Sequence, residues 1–88
     1  MAYYKVILKP SIEKDLRVIP KLFNRKIIEC IESLGKEPFP RQSIKLSKAE
    51  HLYRIRIGDY RIVYEVNKNS KLIIINYIRH RSQVYKRI

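Results

Sequence analysis

The stretch from Leu52 to Tyr64 constrains the fold of this 88-residue chain more than any other. Leu52-Tyr53-Arg54-Ile55-Arg56-Ile57 alternates apolar and basic residues with a period of two, the pattern of a half-buried strand. Gly58-Asp59 supplies a tight turn, and Tyr60-Arg61-Ile62-Val63-Tyr64-Glu65-Val66 reads as the returning strand. A two-residue loop at Gly58 and Asp59 pairs Ile57 with Tyr60, Arg56 with Arg61, Ile55 with Ile62 and Arg54 with Val63. Tyr53, Ile55, Ile57, Tyr60, Ile62, Tyr64 and Val66 then share the core face, and Arg54, Arg56 and Arg61 share the other. Like charges directly opposite on paired strands destabilise a sheet. Stability alone therefore does not explain Arg56 facing Arg61, whereas an anionic partner would.

Basic residues on the outside of a hairpin commonly serve only solubility. Here three share one face, and Glu65 at its far end is the sole acidic residue among them. The end of the chain, Arg79-His80-Arg81-Ser82-Gln83-Val84-Tyr85-Lys86-Arg87, adds further cations, an imidazole and a phenol. The net charge of +12 points to a polyanionic partner. Its density is greatest in residues 51–88, which carry nine basic and two acidic side chains. No apolar run approaches the ~20 residues of a membrane-spanning helix, and Met1-Ala2-Tyr3-Tyr4-Lys5 does not read as the start of a signal peptide. A single cysteine, Cys30, leaves no internal disulfide and fits a reducing cytoplasm. With His51 and His80 far apart in sequence, no metal site and no cofactor motif is visible.

The remaining segments suggest one small α+β domain spanning residues 1–88. Tyr3 to Leu8 reads as a first strand ended by Pro10, and Ser11 is placed to cap a helix carrying Ile12, Leu16 and Ile19 on one face. A second helix runs from about Lys21 to Leu34 with Phe23, Ile27, Cys30, Ile31 and Leu34 inward and Gly35 as its stop. Pro38-Phe39-Pro40-Arg41-Gln42 reads as a loop, while Ile44 to Glu50 has no firm assignment. The apolar run Leu72 to Ile78 is expected to be a central strand covered on both faces, followed by a short helix or turn from Ser82. The expected order is βααβββ, with a helical hairpin packed on one face of a mainly antiparallel four-stranded sheet and the other face open.

Leu52 to Tyr64 together with His80-Arg81-Ser82-Gln83-Val84-Tyr85 resembles the RelE/ParE superfamily of toxins from toxin–antitoxin operons. In that family a strand of the form Tyr-(Lys/Arg)-hydrophobic-(Lys/Arg) meets one of the form Tyr-Arg-hydrophobic-hydrophobic-Tyr, and a late segment ends in Val-Tyr. The resemblance covers nearly the whole chain. It implies a RelE-type mRNA interferase: a ribosome-dependent, metal-independent endoribonuclease that cuts mRNA in the decoding site by 2′-OH attack, leaving a 2′,3′-cyclic phosphate. By position, the family's catalytic residues fall on Arg54, Arg56, Arg61, Arg79 and Tyr85. Arg81, Lys86, Arg87, Lys45 and Lys48 are candidate RNA contacts. A cognate RelB-like antitoxin is the implied partner, beside the ribosome and mRNA.

Guanidinium groups can stabilise charge building on phosphoryl oxygens, and a tyrosine can stack on a splayed base. One departure matters. The best-known branch has lysines where this chain has Arg54 and Arg56, and arginine cannot be expected to act as a base. General-base duty then falls on His80, Glu65, Tyr85, a ribosomal group or solvent; His80 has the unperturbed pKa for it. Two other functions fit the same charge: a ParE-like toxin that poisons gyrase by binding, and a non-enzymatic RNA- or ribosome-binding module using phosphate contacts alone.

Overall fold

The computed structural model describes residues 3–47 and 51–82. The elements are β1 (Lys5–Leu8), α1 (Pro10–Val18), α2 (Lys21–Ser33), β2 (Ile44–Ser47), β3 (Leu52–Ile57), β4 (Tyr60–Asn67) and β5 (Leu72–His80). They form one sheet in the order β1-β5-β4-β3-β2 with both helices on one face. The α+β class and the helical hairpin are as the sequence suggests. The sheet differs: it has five strands, and β1 runs parallel to β5 while the other pairs are antiparallel. The additional strand is Ile44–Ser47, paired with β3 at the sheet edge.

Local chemistry sets the helix ends. Pro10 is the first helical residue rather than the residue that stops the strand, and Lys9, not Ser11, holds the N-cap position without a side-chain hydrogen bond. Proline suits this place because the N–H it lacks would have no intrahelical acceptor anyway. The Asn24 amide donates to the Leu16 carbonyl near the end of α1, tying the two helices at their corner. Gly35 is not a left-handed stop. Its carbonyl accepts the Tyr4 N–H at 2.8 Å, and a Cβ there would stand 3.1 Å from the Tyr4 oxygen. Close approach of β1 is what a side chain at that position would disturb.

The core joins Ile12 and Ile19, then Ile27, Ile31 and Leu34, to Ile55, Ile62, Tyr64, Val66, Ile73, Ile75 and Ile78 of the sheet. Cys30 packs at its margin, and burial pushes its thiol pKa up, away from ready ionisation. Tyr64 is wholly buried and donates its hydroxyl to the Pro38 carbonyl at 2.9 Å, pinning the loop after α2. Phe39 and Tyr53 extend this aromatic end of the core, with ring centroids 5.0 Å apart. β5 is an interior strand, but it is not covered on both faces. Ile73, Ile75 and Ile78 are buried, whereas Ile74 and Tyr77 are only half-buried. No helix among the described residues is long and apolar enough to cross a membrane.

Candidate functional site: a row of arginines on the open sheet face

The hairpin has the register that its alternation suggests: Arg54 opposite Val63, Ile55 opposite Ile62, Arg56 opposite Arg61 and Ile57 opposite Tyr60. Gly58 turns the chain at a φ of +58°, a conformation that glycine adopts without steric cost. A Cβ at this position would lie 2.8 Å from a Phe23 ring carbon, so α2 holds the hairpin tip through the space that glycine leaves open.

β5 completes the site through an irregularity. Tyr64 pairs with Ile75 and Val63 with Tyr77, so Asn76 is an extra residue with no partner on β4. Such a bulge changes which side chains share a face. Before it, Ile73 and Ile75 point into the core; after it, Ile78 does. Tyr77 and Arg79 are thereby delivered to the open face. Arg79 stands directly opposite Arg61, which stands directly opposite Arg56. With neighbouring strands ~4.8 Å apart, the three backbones span about 10 Å in a single row.

The next row holds Arg54, Val63 and Tyr77. Arg54 is half-buried, and its Nε is shielded from solvent without a hydrogen-bond acceptor among the described residues. Beyond the turn, the Arg81 N–H donates to the Asp59 carbonyl at 2.7 Å, bringing the end of β5 to the hairpin tip. Arg56, Gly58, Asp59, Arg61 and Arg81 line an open cleft of about 240 Å³. Asp59 is the acidic residue of that lining and offsets part of its positive charge.

The structure does not gather every candidate here. His80 follows Arg79 and so faces the helix side. It pairs with Tyr60, touches that ring edge-on at 5.0 Å between centroids, and lines a small hollow with Asp15, Val18, Ile19 and Ile78. The Ser82 N–H donates to His80 Nδ1 at 3.1 Å, which makes Nδ1 an acceptor and puts the proton of the neutral ring on Nε2. Lys45 pairs with Tyr53 and lies 5.9 Å from that ring, also on the helix side. Glu65 is on the open face but four residues from Arg61. Tyr85, Lys48, Lys86 and Arg87 lie outside the described residues. No group of three or more potential metal ligands occurs among the described residues. Sequence reading did not single out Tyr77; Asn76, a residue type depleted in strands, breaks the apolar run beside it.

A helical hairpin behind a sheet whose open face is lined with arginines is the architecture of a RelE-like toxin. The family model for the ParE toxin of the type II toxin–antitoxin system parDE matches residues 6–85. A Methanocaldococcus jannaschii protein provisionally named toxin RelE1 is 33% identical, covering 94% of this chain and 96% of that protein. The toxin in an archaeal RelE–RelB complex from Pyrococcus horikoshii OT3 superposes with a TM-score of 0.83 at 36% identity, over 92% of this chain and 98% of the other. A RelB–RelE complex from Methanococcus jannaschii gives a TM-score of 0.75 at 28% identity, over 91% and 95%. The chain belongs to the RelE/ParE superfamily of type II toxin–antitoxin toxins.

Proposed function

We propose that this toxin is a ribosome-dependent endoribonuclease that cuts mRNA in the decoding site and so stops translation in the cytoplasm. One observation carries the reading: Arg56, Arg61 and Arg79 form a single row across three strands, on a face where their mutual repulsion gives the fold nothing. A phosphodiester laid along the row meets guanidinium groups contributed by three strands. The ribose 2′-oxygen attacks the adjacent phosphorus, the bond to the 5′-oxygen breaks, and a 2′,3′-cyclic phosphate remains. Negative charge grows on the phosphoryl oxygens and the leaving 5′-oxygen, where bidentate N–H donors stabilise it. Arg54 and Arg81 extend the cationic surface at either side, and Tyr85 supplies a stacking surface for a base. Lys48, Lys86 and Arg87 are further candidates for phosphate contacts, whereas Lys45, on the helix side, is given none by this reading.

His80 faces the helices, so this reading gives it no contact with the scissile bond and leaves removal of the 2′-proton, and protonation of the leaving 5′-oxygen, to Tyr85, a ribosomal group or solvent. An enzyme of this kind chiefly stabilises charge and depends on its host to align the substrate. Alignment is worth about 7–11 kcal/mol of barrier in favourable cases. The ribosome is that host. The partner is a RelB-like antitoxin, as the likeness to toxins solved in RelE–RelB complexes supports. An acidic antitoxin segment would answer the basic face.

Primer extension on translated and untranslated copies of one transcript tests the reading. Cleavage confined to the translated copy is expected. Equal cleavage of both, or intact mRNA during growth arrest, would reject it. Intact mRNA with inhibited supercoiling would favour the gyrase-directed reading that the ParE description of the matched family model raises.

A further inference from the structure

We infer that Tyr77 is a positioning residue for Arg79, holding that guanidinium in place by a cation–π stack; the inference rests on the nuclease reading above. The Arg79 guanidinium carbon lies 4.4 Å from the centroid of the Tyr77 ring, well within the range of this attraction. The two residues are two apart on β5, both on the open face because the bulge at Asn76 has already been passed. Tyr77 is half-buried and pairs with Val63, which is only 3% exposed although it too lies on the open face. The ring therefore rests on a packed surface rather than in free solvent.

The consequence is geometric. Residues two apart on one strand are separated by ~6.8 Å. In leaning back over Tyr77, Arg79 carries its charged head away from its own row and toward the row of Arg54. Without the ring, repulsion from Arg61 directly opposite would leave a long and mobile side chain to find its place only when substrate arrives. With the ring, the Arg79 guanidinium has a defined place on the open face before RNA is bound. Preorganised charge of this kind needs no rearrangement at the moment of reaction. A phenylalanine would preserve the stack, since the attraction comes from the ring face. A leucine would preserve apolar bulk and remove it.

Single-turnover cleavage on programmed ribosomes, combined with NMR of the Arg79 side chain in the free protein, tests the inference. Tyr77→Phe should cleave within about twofold of the parental rate, and the Arg79 Hε resonance should keep its upfield ring-current shift. Tyr77→Leu should lose that shift and roughly tenfold in the chemical step, with little change in half-saturating ribosome concentration or melting temperature. In an Arg79→Ala background, Tyr77→Leu should have no further effect on rate. A Tyr77→Leu protein that cleaves at the parental rate, or loses as much rate with Arg79 absent as with it present, would overturn the role. A parental protein that never cleaves on ribosomes would overturn the nuclease reading and the positioning role with it. The NMR shift would then report only a structural stack.

Discussion

At the level of single residues, Tyr64 and Gly58 show how this small core is held. Tyr64 is fully buried, and desolvation pushes its phenol pKa from 10 up to about 12. Its neutral form is thus the one the folded state favours. The resulting stability is complete below pH 10 and is lost as pH rises toward 12, where the unfolded chain has already released the proton. A rise of this size corresponds to roughly 2–3 kcal/mol. Chemical denaturation between pH 9 and 12 should show that decline in the parental protein and a flatter one in Tyr64→Phe, whose stability below pH 10 should be lower by about 1 kcal/mol for the lost bond to Pro38. Parallel curves would contradict the assignment. Gly58 makes a different demand. Gly58→Ala meets both the left-handed backbone and the Phe23 ring 2.8 Å away. Melting should reveal a loss of about 1–3 kcal/mol, and an unchanged melt would mean that Phe23 yields at no cost.

At the level of elements, legibility in the sequence followed periodicity. The β3–β4 hairpin could be paired residue by residue because alternation and a glycine turn agreed. β2 escaped notice because it has only four residues and inverts the usual pattern: Ile44 and Leu46 remain about half exposed, while Lys45 sits beside the Tyr53 ring on the helix side. β5 read as uniformly apolar because a bulge breaks its alternation, and the facing of Arg79 depended on that hidden residue. The bulge also predicts a tolerance. Deleting Asn76 would join Ile75 to Tyr77 in strict alternation, keeping Ile75 and Ile78 inward and Tyr77 and Arg79 outward. It would also remove a buried side-chain oxygen that lacks a partner among the described residues. The deletion protein should fold with a melting temperature within a few degrees of the parent and retain cleavage within about tenfold. Loss of folding would show that the local bend itself, not only the parity, is required. Deleting Tyr77 instead leaves a residue parity that pushes Arg79 out of register only if the bulge persists.

Over the whole molecule, the two faces of one sheet divide the labour. The helix side holds the buried core, and the open side holds the arginine row, so those charges lie where they do not disturb packing. That a basic face existed was readable from the hairpin. That Arg79 completes it, and that His80 turns away from it, required the fold. The central claim is that the arginine row serves chemistry rather than stability, and Arg61 at its middle tests this most directly. Its position is flanked by arginines at the paired positions of both neighbouring strands. Single-turnover cleavage on programmed ribosomes should fall roughly 10²–10³-fold in Arg61→Ala, the size of effect seen when a charge-stabilising donor is lost. Its melting temperature should stay level or rise slightly as repulsion is relieved. Arg61→Lys should recover only part of the rate, because an ammonium lacks the bidentate fork. An Arg61→Ala protein that melts far below the parent, or cleaves at nearly the parental rate, would contradict the account.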